Sequence, residues 1–167
     1  MSNIITDFLT LAKPTEPQKS IIKVDELLDS VKHIIQSDVF MYNDIDFKIN
    51  IDPNLPSIEV DANQIKQVIL NLSKNAIEAM NGSGRLEISA RSELNYVAIT
   101  VINSGQAIPP SILKNIFNPF FTTKESGTGI GLAICKKIVD SHDGVINVKS
   151  PMPEGGTMFE IMLPIYR

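Results

Sequence analysis

The sequence predicts an α/β domain in which a mixed, mainly antiparallel sheet of about five strands is covered on one face by about three helices. Three observations predict it. Residues 85–91 and 97–102 alternate apolar and polar side chains around a short turn, as a meander does, and the same period returns at 45–51 and 157–163. Apolar residues recur at helical spacing in 25–37, in the segment after Asp61 and in 130–141, between those strands. Proline and glycine clusters separate the segments.

Taken in order, residues 3–12 form a short amphipathic helix through Ile4, Ile5, Phe8, Leu9 and Leu11. It stops at Lys13 and Pro14, because a proline forces the residue before it out of helical geometry. A proline-rich link, Pro14 to Pro17, leads to a strand at 20–24, a helix at 25–37 and a strand at 45–51. Asp52, Pro53 and Asn54 turn the chain, Asp61 caps the next helix, and Asn81, Gly82 and Gly84 end it. After the meander comes a long irregular stretch, 104–126, holding Pro109, Pro110, Pro119, Phe117, Phe120 and Phe121. Irregular loops of this length inside a compact domain are usually functional. A helix at 130–141, a strand at 145–149, a turn through Gly155 and Gly156, and a strand at 157–163 with Phe159, Ile161 and Leu163 on one face complete the chain.

Its 167 residues suit one core, long enough to bury roughly 70% of the unfolded surface. A net charge of -4 with 20% charged residues argues against nucleic acid as a partner, which would require Lys and Arg clustered on one face. The single cysteine, Cys135, excludes a disulfide within the chain and fits a reducing, cytoplasmic setting. No apolar run approaches the about 20 residues that span a bilayer.

Chemistry concentrates on the central helix. Asn71, Asn75 and Glu78 fall on one narrow face beside the apolar stripe of Ile65, Val68, Ile69, Leu72 and Ala76. Polar groups at the margin of a core cost free energy unless something polar binds them. A hydrated Mg²⁺ with its phosphates suits such oxygen ligands, and a solvated helix edge is the bland alternative. Gly127, Gly129 and Gly131 directly precede a helix, where bare backbone amides and the positive helix end can receive an anion; a flexible loop is the competing reading. Asn103, at a strand end, can hydrogen-bond a base edge while Gly105 turns the chain, or can form an Asx turn. Lys124 can reach a terminal phosphate or stay solvated. Phe120 and Phe121 are either core or the latch of a lid. Thr157, after Gly155 and Gly156, can bring a hydroxyl to the pocket or belong to a plain hairpin turn.

In this order, Asn71 and Asn75, Asn103 with Gly105, Phe117 to Phe121, Gly127 to Leu132 and Gly155 to Thr157 resemble the N, G1, F, G2 and G3 boxes of the sensor histidine kinase catalytic domain. That domain belongs to the superfamily it shares with gyrase, heat-shock chaperone and mismatch-repair ATPases. The resemblance covers residues 22–164, and Asp7 to Pro14 with Lys74 to Met80 resemble the sporulation-type kinases of spore-forming bacteria.

The resemblance implies the Bergerat two-layer α/β sandwich and Mg·ATP as ligand. Asn75 would be the metal ligand, with Asn71 and Glu78 beside its waters and Lys74 in the same nucleotide site. Asn103 would face the adenine amine, with Gly105, Ala107 and Ile108 along the base. Gly127, Thr128, Gly129, Ile130, Gly131 and Leu132 would line the phosphates under a lid at 104–126, with Lys124, Phe120 and Thr157 also in the nucleotide site. Residues 1–14 would be the end of a dimerisation helix and 15–167 the catalytic domain. The γ-phosphoryl would pass to a histidine on a dimerisation domain outside this chain, then to a response regulator. The parent would be a homodimer and this chain alone a monomer.

Where hydrolytic relatives place a water-activating Glu, four residues before the metal-binding Asn, this chain has Asn71, whose carboxamide cannot serve as a general base. Asn103 replaces the usual Asp and Ala107 a usual Gly. The alternatives are a nucleotide-free docking module, or an ATPase or serine kinase of the same superfamily. His33 and His142 lack the acceptor-histidine motif and read as structural.

Overall fold

In the computed structural model, which describes residues 4–13 and 15–167, the chain forms four α-helices and seven strands. In order these are α1 (Ile4–Ala12), β1 (Ser20–Ile22), α2 (Val24–Phe40), β2 (Asp44–Ile51), β3 (Ile58–Val60), α3 (Ala62–Met80), β4 (Ser83–Glu93), β5 (Tyr96–Asn103), α4 (Gly131–Ser141), β6 (Val145–Lys149) and β7 (Thr157–Pro164). The expected helix start at Asn3 and stop at Pro14 lie outside the described residues.

Five strands make the main sheet in the order β2-β4-β5-β7-β6, with β2 and β4 parallel and the other pairs antiparallel. A separate ribbon pairs β1 with β3. The strand expected at 20–24 stops at Ile22, because Lys23 is the extended residue that opens α2. The strand β3 was not anticipated.

Helices α2, α3 and α4 lie side by side on one face of the sheet. Leu28, Ile35, Ile65, Ile69, Leu72, Ile88, Ile99, Ile134, Ile161 and Leu163 interlock between the layers and are fully buried. Each such side chain contributes about 1.5–3 kcal/mol of transfer free energy. The fourth helix, α1, rests on α4 instead, where the Lys137 ammonium donates to the Leu11 carbonyl.

Both ends of α3 are fixed locally. The Asp61 carboxylate accepts from the Asn63 and Gln64 amides, and Asn81 ends the helix in the left-handed conformation at φ 51°. Asparagine, not glycine, therefore makes the C-terminal turn, and Gly82 at φ 91° follows it.

Candidate functional site

The sequence-predicted residues lie on three segments: the C-terminal half of α3, the end of β5 with the residues after it, and the loop entering α4. On α3, Asn71 and Asn75 are half-buried, while Glu78 and Lys74 are exposed. The Cys135 thiol of α4 donates to the Val68 carbonyl of α3 at 3.9 Å, tying the two helices one turn before Asn71. Burial pushes that thiol up to about 12, which keeps Cys135 protonated and makes it packing.

The β5 end is joined to α3 by backbone. The Gln106 amide donates to the Ala79 carbonyl at 2.9 Å, and a Cβ on Gly105 would stand 2.5 Å from that same oxygen. Glycine is required there because no side chain fits between loop and helix. Asn103 pairs in register with Thr157 of β7 and with Leu86 of β4, so all three side chains share one face of the sheet. Asn103 is 4% exposed, and its Nδ2 has no hydrogen-bond partner among the described residues. A buried amide donor left unpaired costs about 1–3 kcal/mol, so it calls for a ligand.

Next to it, the Ser150 hydroxyl accepts from the Ile108 amide at 2.8 Å and lies 2.8 Å from the Thr157 hydroxyl. Ser150 carries no motif in the sequence, yet it fixes both Ile108 and Thr157 in place. Thr157 is 97% covered, and its hydroxyl is engaged by Ser150. Ala107 and Ile108 are half-buried along the same segment.

The residues from 104 to 126 fold back over α3. Phe121 is half-buried against the core, and Phe117 packs edge-on to Phe159 with ring centroids 6.3 Å apart. Phe120 behaves differently: it is 60% exposed, holds φ 67°, and faces Phe8 of α1 with ring centroids 6.5 Å apart. A left-handed phenylalanine is strained, and its amide bond to the Gly129 carbonyl, 2.9 Å, helps hold it there. Lys124 donates to the Glu78 carboxylate, so this segment is pinned across the polar face of α3.

The loop then enters α4. The Gly127 amide donates to the Lys124 carbonyl at 3.2 Å, and the Thr128 hydroxyl accepts from the Ile130 amide at 3.4 Å. The Ile130 side chain is buried, so that residue offers only its backbone, and Leu132 is half-buried. No side chain caps the helix, and a Cβ on Gly131 would meet nothing within 4 Å. Local packing therefore gives no reason for glycine at that position.

His142 ends α4, but not as a cation on the helix dipole. Its Nδ1 bonds the Ile138 carbonyl at 2.7 Å and its Nε2 accepts from the Asp61 amide at 3.0 Å, which describes a neutral ring. Desolvation, with Lys19 adding to it, lowers its pKa against the opposing pull of the Ile138 bond, Asp61 and Asp143. Among the described residues, no three His, Cys, Asp or Glu side chains form a metal cluster.

A mixed five-stranded sheet under three helices, carrying a glycine loop into the last of them, defines the catalytic domain of histidine kinases. The nucleotide-free catalytic domain of histidine kinase ThkA superposes with a TM-score of 0.80 at 36% identity, covering 89% of this chain and 96% of its own. The family described as histidine kinase-, DNA gyrase B- and HSP90-like ATPase matches residues 60–167, and the chain belongs to that family. Sporulation kinase A of Bacillus subtilis (strain 168) is 37% identical over 162 residues, which are 96% of this chain and 26% of that protein. ThkA in complex with response regulator protein TrrA superposes at a TM-score of 0.84 and 33% identity, over 98% of this chain and 46% of its own. The chain thus spans well under half the length of the curated relatives it matches, from 22% to 38%.

Proposed function

We propose that this chain binds Mg·ATP between α3 and the Gly127 to Leu132 loop, as the catalytic domain of a two-component sensor kinase. In that reading residues 15–167 are the catalytic domain, α1 is the end of a dimerisation helix, and the lid runs over 104–126. The observation that carries the reading is the buried Nδ2 of Asn103 with no partner among the described residues. An adenine edge offers a ring nitrogen to accept from it and an exocyclic amine to donate to its Oδ1. Gly131 supports the reading, since a ligand approaching the amides of α4 accounts for a glycine that packing leaves free.

The remaining roles follow from chemistry. Gly105 and Ala107 bring the backbone along the base, Ile108 packs on it, and Thr157 steadies the pocket through Ser150. Gly127, Thr128, Gly129, Ile130, Gly131 and Leu132 hold the phosphates at the helix start, and Lys124 supplies a cation once it leaves Glu78. Phe120 keeps the lid against α1. Asn75 holds Mg²⁺ by its carboxamide oxygen, with Asn71, Lys74 and Glu78 ordering the surrounding waters. The metal would supply charge neutralisation along the phosphates.

The γ-phosphoryl leaves ADP and bonds a nitrogen of a histidine on a dimerisation domain outside this chain, and a response regulator then receives it. Asn71 has no proton-accepting group, so water is not activated and the nucleotide is kept for transfer. The parent is a homodimer working on the cytoplasmic side, and this chain alone is a monomer.

Competition with a fluorescent ATP analogue tests the reading. ATP and ADP displace the probe, and no steady phosphate release accompanies binding. No displacement by ATP or ADP, or covalent label on His33 or His142, overturns it.

A further inference from the structure

The chain between α1 and β1 is held to the domain at one place, where β3 gives way to α3. The β1 and β3 ribbon brings Ser20 opposite Val60, so residues 15–19 lie directly over Asp61. There the two carboxylate oxygens of Asp61 do separate things. Oδ1 accepts from the Asn63 and Gln64 amides at 3.0 and 3.2 Å, capping α3. Oδ2 accepts from the Gln18 amide at 2.9 Å, a residue 43 positions earlier in the chain. The Gln64 side-chain amide donates to the Thr15 carbonyl at 3.1 Å, and Lys19 lies 3.4 Å from Asp143. Asp61's own amide is held by His142. Beyond this cluster α1 touches the domain through Lys137 and Phe120, but Ile4, Ile5, Phe8 and Leu9 are all more than half exposed. A cavity of about 290 Å³, lined by Thr10, Asp61, Gln67 and Lys137 among others, separates α1 from the domain at this point.

We propose that Asp61 is a positioning residue whose second carboxylate oxygen fixes the linker, and through it the direction in which α1 leaves the domain. A serine would suffice to cap α3. Only a carboxylate offers two acceptors, one for the helix and one for the linker. Setting the linker also sets how Phe8 meets the lid residue Phe120. The functional weight rests on reading α1 as the end of the helix domain that carries the acceptor histidine: Asp61 would then orient the catalytic domain toward that histidine without touching nucleotide.

Spin labels at Thr6→Cys and Asn147→Cys, both exposed positions, report the distance from α1 to the sheet, since Cys135 is buried and unreactive. With Asp61 intact the distance distribution is narrow. Asp61→Ser and Asp61→Asn each keep an oxygen for the cap; serine offers nothing to Gln18, and the asparagine amide opposes a donor to it. Both are expected to broaden the distribution by about twofold or more while leaving ADP affinity unchanged. Asp61→Ala, which also loses the cap, should lower Tm by about 2 to 4 °C, whereas Asp61→Ser should not. An unchanged distribution in Asp61→Ser, or a Tm loss in Asp61→Ser equal to that in Asp61→Ala, overturns the proposal. Broadening in a chain that binds no nucleotide sustains the clamp and sinks the kinase reading alone.

Discussion

Lys124 donates to Glu78 of α3, closing the polar face on which Asn71 and Asn75 stand. The two side chains are 45% and 40% exposed, so the pair is screened and worth less than about 1 kcal/mol. Glu78→Gln should therefore leave urea stability nearly unchanged. Lys124→Ala should weaken ATP by about tenfold and ADP by less than about twofold, because a cation released from Glu78 serves the terminal phosphate. Equal losses for the two nucleotides, measured by competition, would place Lys124 elsewhere.

Asn103→Leu should leave the melting temperature unchanged or raise it. Replacing a buried donor that lacks a partner by an apolar group of similar size removes a desolvation cost and breaks no bond of that donor. A fall of several degrees in a thermal melt would mean that Asn103 is already satisfied.

Two glycines should respond in opposite ways to alanine. Gly131→Ala should gain stability, up to about 1 kcal/mol, since the new methyl meets nothing and alanine suits a helix better, but nucleotide affinity should fall. Gly156→Ala should cost more than about 2 kcal/mol, because Gly156 sits at φ 83° and the Cβ would stand 1.9 Å from the Asn103 carbonyl oxygen. Denaturant titration and nucleotide binding on both variants check the pair.

Much of this fold is legible from local patterns: the strand of Phe159, Ile161 and Leu163, the Asp61 cap, and the polar face of α3 all follow from spacing. What is not legible depends on partners distant in the chain. β3 is three residues long, and its partner β1 lies about forty residues away, so no period identifies it. The Lys124 and Glu78 pair, the left-handed Phe120 and the Ser150 hub likewise arise only when the loop closes on α3 and β7. His142 at a helix end suggests a dipole contact, yet burial and the Asp61 amide make it a neutral acceptor.

That neutral ring makes stability depend on pH. The folded-state pKa of His142 is lowered from 6.5, so between the two values the unfolded chain binds more protons than the folded one. Its contribution is full above the unfolded value and is lost as pH falls through 6.5 toward the folded value. Urea unfolding from about pH 7.5 to about pH 5 should show stability falling, by at most about 1.4 kcal/mol per pH unit from this group. His142→Gln should flatten that part of the profile. A profile of the same slope in the variant would assign the titration to another group.

Calorimetric titration of the unmodified chain and Asn103→Leu with Mg·ADP, side by side, tests the nucleotide site most directly. One ADP should bind per unmodified chain, and the affinity of Asn103→Leu should be at least about tenfold lower, as losing base-edge hydrogen bonds requires. No heat from the unmodified chain, or equal affinity in the two proteins, would contradict the assignment.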